Sequence, residues 1–152
     1  MRLDKINIKI LNTLATDGRI GWKELAEQVG LSLTPTLRRV RQLEDDGYIK
    51  GYFAQLDETR LAGELVVFVS VAMHRQELEA LENFERRIAE VPQVMSCFLM
   101  TGDADYLLRV VVKDLATYQN FLRNTLTQIP GVAHIKSSFA LKSVLLRAAP
   151  PL

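Results

Sequence analysis

The chain has 152 residues, 48% of them hydrophobic, which suits one ordinary domain or two small ones and excludes global disorder. Nineteen Lys and Arg face eighteen Asp and Glu, so any hold on nucleic acid has to come from a local basic cluster rather than from gross charge. One cysteine, Cys97, excludes an intrachain disulfide. No apolar run follows Met1-Arg2-Leu3-Asp4-Lys5 as in a secretory leader, and the apolar stretch 65–73 is too short to span a bilayer. The expectation is a cytoplasmic chain in a reducing setting, with no membrane partner.

Up to about residue 60, apolar residues recur at helical spacing. The first helix is expected to open at Asp4, whose carboxylate can take up free N–H groups of the first turn, with Leu3 stapled to Ile8. Ile6, Ile10, Leu11 and Leu14 form one stripe, and Asp17-Gly18 ends it. A second helix covers about 22–29, with Leu25, Ala26 and Val29 inward and Gly30 supplying a left-handed turn. A third runs over 33–46, with Ser32 as N-cap, Pro35 in its first turn and Gly47 closing it. Residues 48–53 read as a short β segment, a wing.

The third helix carries the clearest chemical signal. At 100° per residue, Leu33, Leu37, Val40 and Leu43 fall on one side. Thr34, Arg38, Arg41 and Gln42 fall on the other, with Arg39 at the flank. These side chains bind phosphates and read base edges in a major groove. No acid stands between Ser32 and Gln42, although nine lie elsewhere in the first sixty residues, so the local field is positive while the net charge is not. A lone Arg-rich face is usually just solvated. Two preceding helices and a tight turn at helix-turn-helix spacing make this one a DNA-reading helix, with Thr34, Pro35, Arg38, Arg39, Arg41 and Gln42 as candidate contacts.

Residues 57–63 are poor in large apolar side chains and are expected to link a domain of residues 1–56 to one of 64–152. Beyond them the pattern reads strand 65–74, helix 77–91, strand 94–101, strand 106–113, helix 115–129, strand 133–145. This β-α-β-β-α-β order is a ferredoxin-like arrangement, so the whole chain is α+β: a winged helix-turn-helix followed by a ferredoxin-like domain. Val91-Pro92-Gln93-Val94 and Ile129-Pro130-Gly131-Val132 echo each other about 38 residues apart and support a duplicated unit.

Strand 65–74 is apolar on both faces, with Val67, Val69, Val71 and Met73 on one and Val66, Phe68 and Ala72 on the other. With both helices on one face of the sheet, the other would expose apolar surface, so a second copy of the chain is expected to cover it. Thr101-Gly102-Asp103-Ala104-Asp105-Tyr106 joins two apolar strands. It reads as a plain hairpin, or as a small-molecule pocket in which turn N–H groups hold a carboxylate and an aspartate holds an ammonium. Catalysis has little to stand on. His74 and His134 lie in predicted strands, Cys97 reads as an inert core thiol, and there is no phosphate loop, metal-ligand spacing or nucleophile motif; no cofactor is expected.

Several stretches resemble the leucine-responsive/asparagine-responsive (Lrp/AsnC) regulators. They include 3–11, 17–20, 24–26, 29–32, Thr34-Pro35-Thr36-Leu37-Arg38-Arg39-Val40-Arg41-Gln42-Leu43-Glu44, 47–52, Thr101-Gly102-Asp103-Ala104-Asp105-Tyr106-Leu107-Leu108 and Pro130-Gly131-Val132. The resemblance spans nearly the whole chain. It implies a winged helix-turn-helix on double-stranded DNA, dimers built through the sheets and assembled further to octamers, and an amino-acid effector where dimers meet. By position, the effector contacts would involve Thr101, Gly102, Asp103, Asp105 and Tyr106, with Ser137 and Ser138 as further candidates. The implied function is a transcription regulator, not an enzyme, whose assembly and DNA binding respond to an amino acid or related molecule. The alternative is an architectural nucleoid protein without a ligand. The chain departs from the pattern at Gly21, where a Ser or Thr usually caps the second helix, at Leu33, where proline is common, and in its short arm before the first helix.

Overall fold

The computed structural model describes residues 3–147 and 149–151. They fall into two compact units. One runs to Gln55 and takes in the C-terminal segment from Leu145; the other is Leu56–Val144.

The first unit holds α1 (Lys5–Thr16), α2 (Trp22–Val29) and α3 (Leu33–Asp45). Asp4 caps α1, its Oδ1 accepting the Asn7 N–H at 2.7 Å. Gly21 opens α2 with no side-chain cap, where a Ser or Thr would supply one. Gly30, at φ 76°, turns left-handed and gives its N–H to the carbonyls of Ala26 and Glu27, which is what lets α3 follow α2 so tightly. Ile10, Leu14, Leu25, Val29, Val40 and Leu43 form the core, each removal from water contributing about 1.5–3 kcal/mol.

Val40 and Leu43 of the expected row are buried, but Thr36 joins them, while Leu37 is half-buried and Leu33 lies outside. Leu33 is 37% exposed. Thr36 replaces it because its hydroxyl donates to the Ser32 carbonyl at 2.9 Å, so a polar residue can be buried there. The Ser32 side chain itself makes no cap bond. Residues 48–53 form no strand; they are irregular, because no second strand exists among the described residues of this unit to pair with their N–H and C=O groups.

The second unit runs α4 (Glu58–Leu61), β1 (Leu65–Met73), α5 (Leu78–Ala89), β2 (Val94–Leu99), β3 (Tyr106–Val112), α6 (Leu115–Asn124) and β4 (Val132–Phe139), with a 3-10 turn Leu126–Gln128 after α6. The strands order β2-β3-β1-β4, every neighbour antiparallel, as a ferredoxin-like β-α-β-β-α-β chain requires. Val67, Val69, Val71, Leu108 and Val110 pack under Phe84, Ile88, Tyr118 and Phe121, so α5 and α6 cover one face of the sheet. On β1 the other face holds Val66, Phe68, Ser70 and Ala72, with Phe68 39% exposed.

Three places differ most from the sequence reading. β4 stops at Phe139 instead of 145: Phe139 pairs with Val67, and β1 has almost no backbone left to offer. α6 gives way to the 3-10 turn, which points both Leu126 and Ile129 into the core and brings Ile129 to an extended ψ of 121° before Pro130. Segment 57–63, expected to be plain linker, carries α4, capped by Asp57 Oδ1 on the Arg60 N–H at 3.1 Å. Both carboxylate oxygens of Glu58 are held by Arg109 of β3, one at 3.0 Å. Gly63 has φ +118°, and a Cβ there would run into the backbone of Val112 and Lys113. Among the described residues no helix is long and apolar enough to cross a membrane.

Candidate nucleic-acid interface and effector hairpin

Because Thr36, Val40 and Leu43 fix one side of α3 in the core, the opposite side must face outward. Thr34, Arg38, Arg41 and Gln42 are all exposed there and, with Leu37 and Asp45, line one shallow hollow. Arg38 and Arg41 make no ion pair among the described residues, so their guanidinium donors are free for phosphate oxygens or base acceptors. Gln42 donates from Nε2 to Asp46 Oδ1 at 2.9 Å and would have to release it to meet a base. Pro35 is half-buried in the first turn, where its missing N–H costs nothing.

Arg39 points elsewhere. Its Nη1 donates to Asp4 Oδ2 at 2.7 Å and to Asn7 Oδ1 at 2.8 Å, and its side chain is 29% exposed. The Asn7 N–H and then the Arg39 guanidinium hold the Asp4 carboxyl below the usual carboxylate range.

The hairpin between β2 and β3 divides its expected effector residues into two sets. Thr101, Gly102 and Asp103 are exposed at its tip. Asp105 is buried: Oδ2 accepts the Met73 N–H at 2.7 Å and Oδ1 accepts Gln76 Nε2 at 2.5 Å, so both oxygens hold the end of β1 and the loop before α5. The Tyr106 ring, 1% exposed, stacks on Phe84 at 4.4 Å, and its hydroxyl donates to Glu85 Oε1 at 2.7 Å. Burial first, and Glu85 second, push that phenol well above its ordinary pKa. Ser137 lies on the helix face of β4, its Oγ 2.5 Å from the Tyr118 hydroxyl, whereas Ser138, one residue on, is exposed on the opposite face.

A hollow about the Tyr106 hydroxyl is lined by Glu85, Val94, Ser96, Cys97 and Leu99. Cys97 is therefore not the core thiol expected. It is exposed on an edge strand, though partial burial, helped by Glu85, pushes its pKa up to about 11 and keeps it a thiol. His74 and His134 are both exposed.

Residues 3–50 match the winged helix-turn-helix DNA-binding family, and residues 66–150 match the Lrp/AsnC ligand binding domain. The chain belongs to the Lrp/AsnC family. It is a DNA-binding transcription regulator with a ligand-binding domain, and not an enzyme. Among its relatives, the Bkd operon transcriptional regulator of Pseudomonas aeruginosa is 69% identical over 150 residues, covering 99% of this chain and 98% of that one. The leucine-responsive regulatory protein of Escherichia coli is 40% identical over 142 residues, covering 93% and 87%. Among solved structures, a transcriptional regulator of Neisseria meningitidis in complex with L-methionine superposes with a TM-score of 0.93 at 39% identity, covering 99% of this chain and 97% of that one.

In this Lrp/AsnC regulator several working residues escaped the sequence reading. Asp45 had a signal, standing on the same outward arc as Arg38 and Arg41. Asn7 also had one: a polar residue inside an apolar stripe, 2% exposed and bonded to Arg39. Glu85, Gln76 and the Glu58–Arg109 pair had none, because each meets a partner at least 21 residues away in the chain.

Proposed function

We propose that this regulator reads a specific operator through Thr34, Arg38, Arg41 and Gln42, and that an L-amino acid with an apolar side chain changes that binding. The observation that carries the reading is the outward face of α3: two arginines that make no ion pair among the described residues, beside Thr34 and Gln42, on a helix whose other side is locked by Val40 and Leu43. In this reading Pro35 sets the first turn and Arg39 lies outside the contact set.

The effector class is argued from two relatives, one named leucine-responsive and one solved with L-methionine. Thr101, Gly102 and Asp103 are the accessible part of the hairpin and the proposed effector contacts. Asp105 and Tyr106 serve by holding its base, Ser137 is engaged with Tyr118, and Ser138 is set aside. The sheet face away from α5 and α6, where Phe68 is 39% exposed beside the Arg109–Glu58 pair, is proposed to pack on a second copy of the chain, so a ligand at the hairpin acts by shifting the favoured assembly.

Fluorescence anisotropy on the DNA upstream of the protein's own gene, against scrambled competitor, tests this. Tighter binding to the upstream DNA, shifted by L-leucine or L-methionine and not by L-aspartate, is the expected result. Equal binding to scrambled DNA, indifferent to every amino acid, would mean an architectural protein instead.

A further inference from the structure

We infer that Arg39, which sits in the most basic stretch of the DNA-reading helix, does not touch DNA but positions that helix by tying it to the start of α1. The inference rests on the operator reading above and adds a residue to it that works from behind the interface.

Asp4 does two jobs with one carboxylate. Oδ1 accepts the Asn7 N–H and caps α1; Oδ2 accepts Arg39 Nη1. Asn7, buried, accepts the same Nη1 through its side-chain oxygen. One nitrogen of the arginine thus meets two acceptors one turn apart at the start of α1, and two charge-assisted bonds diverging from it restrain where α3 lies against that turn. Around α3, Arg39 lies close to the buried arc of Thr36, Val40 and Leu43, and about 100° from Arg38. Turning it toward a phosphate would break both bonds and leave the buried Asn7 oxygen without this donor. Apolar packing alone sets the axis separation of α1 and α3 but tolerates small rotations. Base reading does not tolerate them, since a bidentate contact needs its donors aligned.

The test uses full-length Arg39→Gln, Asp4→Asn and Arg38→Gln, each titrated on upstream and scrambled DNA over a salt series. Asn caps a helix about as well as Asp, so Asp4→Asn weakens the tie while keeping α1 capped. For Arg39→Gln and Asp4→Asn we expect upstream affinity to fall about tenfold with scrambled affinity and the salt slope unchanged. The double variant should be no worse than the singles, because both remove one tie. Arg38→Gln should instead lower the slope by about one and weaken both DNAs.

A slope lowered by about one in Arg39→Gln would overturn the inference and make Arg39 a phosphate contact. A lower melting temperature with both affinities unchanged would overturn it too, leaving Arg39 a purely structural residue. Should Arg39→Gln fail to fold, Asp4→Asn decides alone. A wild-type chain without preference for its upstream DNA fails the operator reading, and the Arg39→Gln slope still decides whether Arg39 meets phosphate.

Discussion

At the scale of single residues, side chains of one type do different work according to what lies behind them. Arg38, Arg39 and Arg41 are close in sequence, yet among the described residues only Arg39 is bonded to a carboxylate and a buried amide. Arg41→Ala is expected to weaken operator binding and lower its salt slope by about one, with melting temperature and particle size unchanged. Leu43→Ala should do the reverse: about 2–5 kcal/mol of stability lost by thermal or urea unfolding, with the basic face intact. Helical periodicity made the basic face legible from the sequence, because spacing alone decides which residues share an arc. It could not show that Thr36, not Leu33, completes the buried side. That depends on a local bond from Thr36 to the Ser32 carbonyl.

The elements bear out the same division between local and distant causes. The caps at Asp4 and Gly30, the starts of the helices and the strand order were written in neighbouring residues, and they match closely. The ends of β4 and α6 were not, since they depend on where a partner strand runs out and where Pro130 stops a turn. The segment before β1 shows the largest gain over the sequence. α4 is fastened to the sheet by Glu58 on Arg109, and Gly63 lies against β3 where no side chain fits. Removing the guanidinium in Arg109→Ala should free the segment and speed tryptic cleavage at the exposed Arg60, followed by mass spectrometry. Arg109 lowers the Glu58 pKa through its hydrogen bond, against the opposing effect of partial burial. A carboxyl depressed in the folded chain contributes fully above its ordinary value of 4.5, and that contribution is lost as the pH falls below it. Wild type should therefore melt above Glu58→Gln at pH 7, and the two should converge toward pH 3.

For the whole molecule, the chain combines a reading unit and a ligand-binding unit, and its family makes it a transcription regulator. On the sheet face away from α5 and α6, Phe68 is 39% exposed between Arg109 and Ser138, and this exposed ring is the reason to propose a second copy. Phe68→Glu is expected to shift the wild-type assembly toward monomer in sedimentation velocity; an unchanged particle would remove that face from the interface. The two-sided apolar character of β1 was legible in the sequence, and on it rests the expectation of a second copy. The engagement of Asp105 with Met73 and Gln76 was not, since a turn sequence does not reveal which of its aspartates faces inward.

The central claim is that α3 reads a defined operator and that an amino acid changes the reading. A DNase I footprint of the DNA upstream of the protein's own gene, taken with and without L-leucine or L-methionine, tests it most directly. Protected patches at fixed positions, whose extent changes with the amino acid and which vanish in an Arg38→Ala, Arg41→Ala double variant, are the predicted result. Even protection along the whole fragment, the same with or without amino acid, would contradict it.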